Sequence, residues 1–430
     1  MQYFTSLALA VSLASCAQKP EAPQFQATDL PPDVAGNTSP TAATAALNAS
    51  VGESLPLSDQ QDFEDAKRGL IASDEDLRVS TSTGREIWSM PAYDFVEGAA
   101  PTSVNPSLWR QARLNNIHGL FEVNKGVYQL RGYDLANMSL IEGETGWIVV
   151  DPLTAKETAA KAMAFARKHL GDKPVSAVIY THSHIDHFGG VLGIISPEEV
   201  EERNVPIIAP EYFVEEATSE NVVAGVAMGR RSLFMMGPRL PKGERGHVDT
   251  GLGKGVAYGT FGLIVPSEIV TETGTEITID GVRFIFQNTP ESEAPSEMTF
   301  YLPDAKTFCG AEIVSHTMHN LYTLRGAKVR DAIKWSNYID EVIELFPDVE
   351  VYFGSHHWPI WDHDRIVDFL EKQRDTYKYI HDQTLRLALH GATPREIAEE
   401  LELPASLRTS FANRGYYGTL KHNAKAVYQY

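Results

Sequence analysis

From about residue 117 the chain alternates short β-branched or aromatic runs with longer segments whose apolar positions recur every three or four residues. Residues 120–123, 127–130, 138–142 and 147–150 read as strands, and 155–169 as a helix. Residues 174–180, PVSAVIY, are short and β-branched and follow Gly171-Asp172-Lys173, which predicts a buried strand. Residues 205–209 form a further strand, and 211–229 are largely helical. Glycines then break every period between about 237 and 265, so this stretch is expected to be a long irregular loop of the kind that serves as a lid or binding loop. Asp280-Gly281 between alternating apolar residues marks a hairpin over 277–286. Strands at 298–302 and 307–311, a helix at about 328–345 and a strand at 349–353 complete a second strand-then-helix half. Two such halves predict an α/β protein built as an αββα sandwich.

The ends of the chain have different textures. Residues 1–16 carry an apolar stretch too short to span a bilayer, followed by small residues, and fit an export signal despite the absence of Lys or Arg before Leu7. Residues 17–60 are rich in Ala, Pro, Thr, Ser and Gln and read as a flexible linker; 61–116 form an N-terminal extension. Residues 117–361 are the expected catalytic domain and 362–430 a helical segment for packing or dimerisation. Residues 393–404 have the look of a DNA-binding helix-turn-helix, but the acidic run Glu399-Glu400-Leu401-Glu402 speaks against phosphate contacts.

Bulk charge narrows the partners. A net charge of -20 repels nucleic acid and anionic membranes, so an anionic substrate requires a local positive site. Two cysteines, Cys16 and Cys309, exclude a disulfide framework and a cysteine-rich zinc module, and Cys309 reads as a small core residue.

The chemistry concentrates in Thr181-His182-Ser183-His184-Ile185-Asp186-His187-Phe188-Gly189-Gly190, on the loop leaving the carboxyl end of the predicted 174–180 strand, where α/β layers place ligands. Alternation lets His182 and His184 hold one ion while Asp186 and His187 turn toward another. Imidazole and carboxylate are ligands that zinc accepts when thiolate is absent. The glycine pair is expected to let the backbone turn sharply. Among the remaining acids, Glu291, Glu293 and Glu297 share one Pro-flanked loop and rank nearly level, and His247 rivals them as a third ligand by spacing alone. Residues 233–236, LFMM, either line a tunnel or belong to the core.

The 181–190 motif resembles the signature of the metallo-β-lactamase superfamily. Residues 289–298 (TPESEAPSEM), 311–327 (AEIVSHTMHNLYTLRGA) and 355–359 (SHHWP) are more narrowly similar to its alkyl sulfatases, with coverage from about residue 95 to the end. That resemblance implies two zinc ions per chain, with Glu293, Glu312 and His357 joining His182, His184, Asp186 and His187 as ligands. His356 reads as a residue that either supports a ligand from behind or packs beside it, since neighbours on an extended segment point apart. The resemblance places Asn320 and Arg325 on the sulfate oxygens, and a planar guanidinium suits a tetrahedral oxyanion. Tyr258 is a further candidate for the same anion, and His316 and His319 stand close enough in sequence to reach the rim.

The expected activity is hydrolysis of alkyl sulfate esters to alcohol and sulfate, with a metal-bridging hydroxide as nucleophile rather than a protein side chain. Two ions about 3.5 to 4 Å apart would share that oxygen. Rival readings are a hydrolase of the same fold acting on a lactone, thioester or β-lactam, a di-iron redox protein, and a binding or assembly protein without turnover. Residues 13–16 resemble a lipobox, which implies a lipid anchor through Cys16 and a periplasmic or envelope location. The C-terminal helices imply a homodimer. The alkyl sulfatases resembled here continue beyond residues 415–430 into the rest of a dimerisation domain and an apolar-ligand-binding domain, whereas this sequence ends at Tyr430.

Overall fold

The computed structural model describes Asp33 and residues 36–430; the stretches expected from the sequence to be an export signal and a lipobox, with Cys16, lie outside them. Ten strands come first: β1 Leu70–Ala72, β2 Arg78–Ser80, β3 Glu86–Ser89, β4 Gly119–Asn124, β5 Val127–Arg131, β6 Met138–Glu142, β7 Trp147–Val150, β8 Val175–Ile179, β9 Ile207–Pro210 and β10 Glu268–Val270. Six follow: β11 Thr275–Ile279, β12 Val282–Asn288, β13 Met298–Leu302, β14 Thr307–Cys309, β15 Val351–Phe353 and β16 Ile360–Trp361. The larger sheet has the order β1-β4-β5-β6-β7-β8-β9-β10, the smaller β11-β12-β13-β14-β15-β16, and β2 pairs with β3 alone. β7 through β10 run parallel, as do β14 and β15; the other ladders are antiparallel.

Side-chain alternation explains the layers. In β7, Ile148 and Val150 face the second sheet, while Trp147 and Val149 face the helix Lys156–Leu170. Phe284, Phe286, Phe300 and Phe353 fill the space between the sheets from the other side. On the outer face of the smaller sheet, Phe308 and Tyr352 meet Trp335 and Ile339 of helix Ala332–Leu345, and Phe369 and Tyr377 of helix His363–Leu389. This is the αββα sandwich, followed by a helical segment that ends in helices Pro394–Glu400 and Leu420–Gln429.

Local chemistry sets several boundaries. The β11–β12 turn carries φ of 45° at Asp280 and 81° at Gly281, as the two-residue hairpin demands. No helix or strand interrupts residues 237–267, so the glycine-rich stretch is the irregular loop expected. Buried Asp134 anchors it by accepting the Ala257 N–H at 3.0 Å.

Two differences appear upstream. Residues 42–54, expected within the flexible linker, form helix Ala42–Ser54, because a run of alanines behind the Thr41 N-cap favours helix without any apolar stripe. The N-terminal extension supplies β1 to the edge of the larger sheet, so that sheet begins before residue 117.

Candidate metal centre

The site lies where the carboxyl ends of β7, β8, β14 and β15 meet the loops of residues 289–297 and 310–331. Beyond β8, Thr181 accepts the Met298 N–H at 2.9 Å and the Ser183 N–H reaches the Ser296 carbonyl at 3.2 Å, which ties the histidine loop to the glutamate loop. Buried Glu297 fastens the third segment, accepting from Ser292 Oγ at 2.9 Å, Ala294 N at 3.1 Å and Glu312 N at 3.1 Å. Gly189 and Gly190 do not adopt the left-handed conformation; they admit the loop after β7, since an added Cβ would lie 2.3 Å from the Thr154 carbonyl oxygen and 2.2 Å from that of Pro152.

Two clusters result, joined by a third grouping of Asp151, His182 and His187. His182, His184, Glu293 and Glu312 converge in one, and Asp186, His187 and His356 in the other. In the first, His184 Nδ1 is 2.8 Å from Glu293 Oε2 and His182 Nε2 is 3.5 Å from the same oxygen. In the second, His187 Nε2 is 3.3 Å from Asp186 Oδ2. A single atom, Glu312 Oε2, faces both: it lies 3.3 Å from His182 Nε2, 3.4 Å from His187 Nε2 and 3.2 Å from His356 Nε2.

The residue order at 356–357 corrects the ligand expected from the sequence. His357 is spent on backbone groups, its Nδ1 accepting the His316 N–H at 3.2 Å and its Nε2 donating to the Gly251 carbonyl at 2.9 Å. A φ of 63° at His357 turns the chain there, and it is His356 whose Nδ1–H is anchored on the Leu135 carbonyl, leaving Nε2 toward Glu312. Adjacent residues do point apart, but in the opposite assignment.

Asp151, directly after β7, was not singled out in the sequence. Its carboxylate accepts from Thr181 N, Thr181 Oγ1, Ser355 Oγ and His187 Nδ1 at 2.7 to 2.9 Å. Thr181 Oγ1 in turn lies 2.9 Å from His182 Nδ1, so both imidazoles are held with Nε2 toward the centre. A charged residue closing an apolar strand beside the signature loop was the available signal.

Arg330 also went unnoticed. Its Nη2 pairs with Glu293 Oε1, and its Nη1 donates to both the carbonyl and Oδ1 of Asn320 at 2.6 Å. That contact corrects the expectation for Asn320, whose amide also donates to the Tyr417 carbonyl at 2.9 Å and does not line the cavity. His319 Nε2 reaches Glu312 Oε1 at 3.1 Å, while His316 is stacked between Trp358 and Phe369, away from both clusters. His247 pairs with Tyr93 and takes no part. Glu291 is exposed on Lys334, so of the three loop acids only Glu293 enters a cluster.

A cavity of about 230 Å³ opens onto the centre. His184, Asp186, Glu220, Glu293, Glu312 and Arg325 supply its polar end, and Leu135, Met228, Met236, Leu252, Val256 and Phe261 its apolar walls. Arg325 Nη2 lies 3.8 Å from Glu220 Oε2, and Glu220 sits 3.3 Å from His184 Nε2. Tyr258 lines the cavity with its hydroxyl 3.5 Å from Ser232 Oγ. Tyr417 lines it too, edge-on to His319. Of the 233–236 run, Met236 faces the cavity whereas Phe234 is 91% exposed.

The electrostatics call for cations. His182 Nε2, His187 Nε2, His356 Nε2 and Glu293 Oε2 are buried without a hydrogen-bond partner. Burial opposes protonation of His184, but Glu293 and Glu220 outweigh it and lift the imidazole to about 9. Burial likewise opposes a charge on His187, yet Asp186 and Asp151 raise it well above its ordinary value. Burial and Glu293 push Glu297 up to about 8. Imidazoles that face carboxylates with open lone pairs are the donor set of a divalent transition metal, and zinc fits nitrogen and oxygen ligands of this kind.

Comparison with known proteins agrees with this geometry. The family model described as Metallo-beta-lactamase superfamily matches residues 131–356, and that described as Alkyl sulfatase dimerisation matches 393–430. The alkyl/aryl-sulfatase BDS1 of Saccharomyces cerevisiae is 50% identical over 389 residues, covering 90% of this chain and 60% of that protein. A linear primary-alkylsulfatase of Pseudomonas sp. is 47% identical over 391 residues, with 90% and 58% covered. The solved structure of the stereoselective inverting sec-alkylsulfatase Pisa1 from Pseudomonas sp. superposes with a TM-score of 0.88 at 45% identity, covering 90% of this chain and 62% of that one. The chain thus spans about three fifths of the length of these relatives. With two layered sheets, a histidine loop at the strand ends and a family match over more than half of its residues, the chain belongs to the metallo-beta-lactamase superfamily.

Proposed function

We propose that this chain hydrolyses alkyl sulfate esters to an alcohol and sulfate, with two zinc ions held in the centre. The observation that carries the reading is the cavity itself, in which a guanidinium stands between a histidine–carboxylate centre and apolar walls. The relatives named as alkylsulfatases support it. His182, His184 and Glu293 would hold one ion, Asp186, His187 and His356 the other, and Glu312 both. When bound, such ions supply a water molecule activated as nucleophile at neutral pH.

The protein's own residues do the rest. Arg325 pairs with the sulfate oxygens, offsetting the repulsion that Glu220 and the ligand carboxylates would otherwise exert on an anion. Tyr258 closes the polar end from the glycine-rich loop. Leu135, Met228, Met236 and Leu252 take the alkyl chain and exclude bulk water from the reacting end, which strengthens each charge contact there. Asp151 and Thr181 keep His187 and His182 from rotating. The matched dimerisation segment supports assembly as a homodimer through the C-terminal helices.

Sulfate release from dodecyl sulfate, measured beside nitrocefin and lactone hydrolysis on one metal-replete preparation, tests the reading. Sulfate release that stops on chelation and returns with zinc is the expected result. Turnover of the lactone or nitrocefin without sulfate release would overturn it.

A further inference from the structure

Helix Gly225–Met235 has two working faces. One turns Gly225, Met228, Gly229 and Ser232 into the cavity. The other turns Val226, Arg230, Arg231 and Phe234 outward, with Phe234 91% exposed. Val222 and Val223 just before it are 71% and 82% exposed, and Leu240 beyond it is 51% exposed. Across the mouth, Phe261 lines the cavity and is half exposed, and Leu324 is exposed beside the cavity residue Arg325. The segments that wall the cavity therefore also form an apolar collar around its opening.

The collar is basic as well. Residues 222–242 contain Arg230, Arg231, Arg239 and Lys242 and no Asp or Glu, in a chain of net charge -20. All four are exposed, and none pairs with a carboxylate among the described residues; the three arginines face outward, while the Lys242 ammonium lies over the Tyr93 ring. Cations unneutralised within an acidic protein and interleaved with outward aromatic and aliphatic groups form the pattern by which a surface segment lies in the interface of an anionic layer. A second copy of the chain fits poorly, because a two-fold contact would set these four cations against themselves.

We propose that this collar docks the chain on a bilayer carrying anionic headgroups, with Phe234, Val223 and Val226 entering the headgroup region and the cavity mouth set at the boundary between apolar and aqueous phases. The full acidic surface is repelled, so docking is confined to the one orientation in which the collar faces the layer. This inference stands apart from the sulfatase reading, since binding is read without turnover.

The test is flotation of the full metal-replete chain with vesicles of phosphatidylcholine alone and of phosphatidylcholine mixed with phosphatidylglycerol. The expected result is binding to the mixed vesicles, reversed by salt, and little to the neutral ones. Arg230→Gln and Arg231→Gln should each weaken binding about fivefold. Phe234→Trp should report entry by a blue-shifted emission on the mixed vesicles only. These side chains are exposed and outside the centre, so circular dichroism and zinc content should match the parent. Absence of binding at low salt, or binding that is the same in the Arg230→Gln, Arg231→Gln double variant, overturns the proposal. So does concentration-dependent self-association that Phe234→Ser abolishes, which would give the collar to a second copy. Binding of polyglutamate that is lost in the same double variant, with the mixed vesicles left unbound, would give it to an acidic protein.

Discussion

Nη2 of Arg330 lies 2.5 Å from Oε1 of Glu293, both side chains being buried. Through Nη1 the same guanidinium holds Asn320, so one cation sets a carboxylate of the candidate centre and the loop that leads to Arg325. Arg330→Met leaves Glu293 without its buried partner and should destabilise the metal-free protein by about 3 to 5 kcal/mol. Arg330→Lys, which keeps the charge and loses the planar fork, should recover part of that. Urea unfolding of the metal-free proteins measures both, and an Arg330→Met chain as stable as the parent would refute the assignment.

The exchange of roles between His356 and His357 is separable by metal counting. If the centre holds two zinc ions as proposed, His356→Ala should lower zinc from two toward one per chain, because the second cluster keeps only Asp186, His187 and the shared Glu312. His357→Ala should retain both ions and lose stability through the backbone groups it caps. Elemental analysis after gel filtration distinguishes the two, and the reverse pattern would restore His357 as the ligand.

Stability of the metal-free protein should fall as pH rises. His184 is lifted in the folded state to about 9, above its unfolded value of about 6.5, so its contribution is complete below 6.5 and is lost as pH passes through 9. Glu297, lifted to about 8, acts in the same direction. The melting temperature of the stripped protein should therefore drop between pH 6.5 and 9, while the zinc-loaded protein should show a shallower slope, because a bound cation would replace the proton on His184. A flat or rising profile for the stripped protein would contradict the arrangement.

Arg325→Ala should reduce kcat/KM for an alkyl sulfate about 100-fold, as the loss of one preorganised charge contact to a reacting oxyanion does. Its zinc content should be unchanged, since Arg325 touches Glu220 and no residue of either cluster. Steady-state kinetics with elemental analysis of the same sample is the check. Unchanged kinetics would remove Arg325 from the substrate site.

Much of this was legible because periodicity is a local property. The β7 run Trp147–Val150, the hairpin at Asp280-Gly281 and helix Ala332–Leu345 all follow from spacing that neighbouring residues impose. The His182–His187 loop was legible for a related reason, since dense ligands need a strand end to hold them. The rest depended on distant contacts. Asp151 meets His187 across 36 positions and Ser355 across 204, and Arg330 finds Glu293 only once two loops fold together. Which of two adjacent histidines turned inward depended on a single residue at positive φ, His357, and two neighbouring histidines share the same propensity for that conformation. The helix Ala42–Ser54 was missed because composition was read as disorder where alanine favours helix.

The oxygen that Glu312 presents to His182, His187 and His356 ties the two halves of the candidate centre together. On the proposed reading, a cation drawn to either side would spend part of the negative charge awaiting the next, and would fix the carboxylate that both share. Uptake would then obey affinities that belong to the pair rather than to either position. A chain carrying a single ion would accordingly be a distinct species.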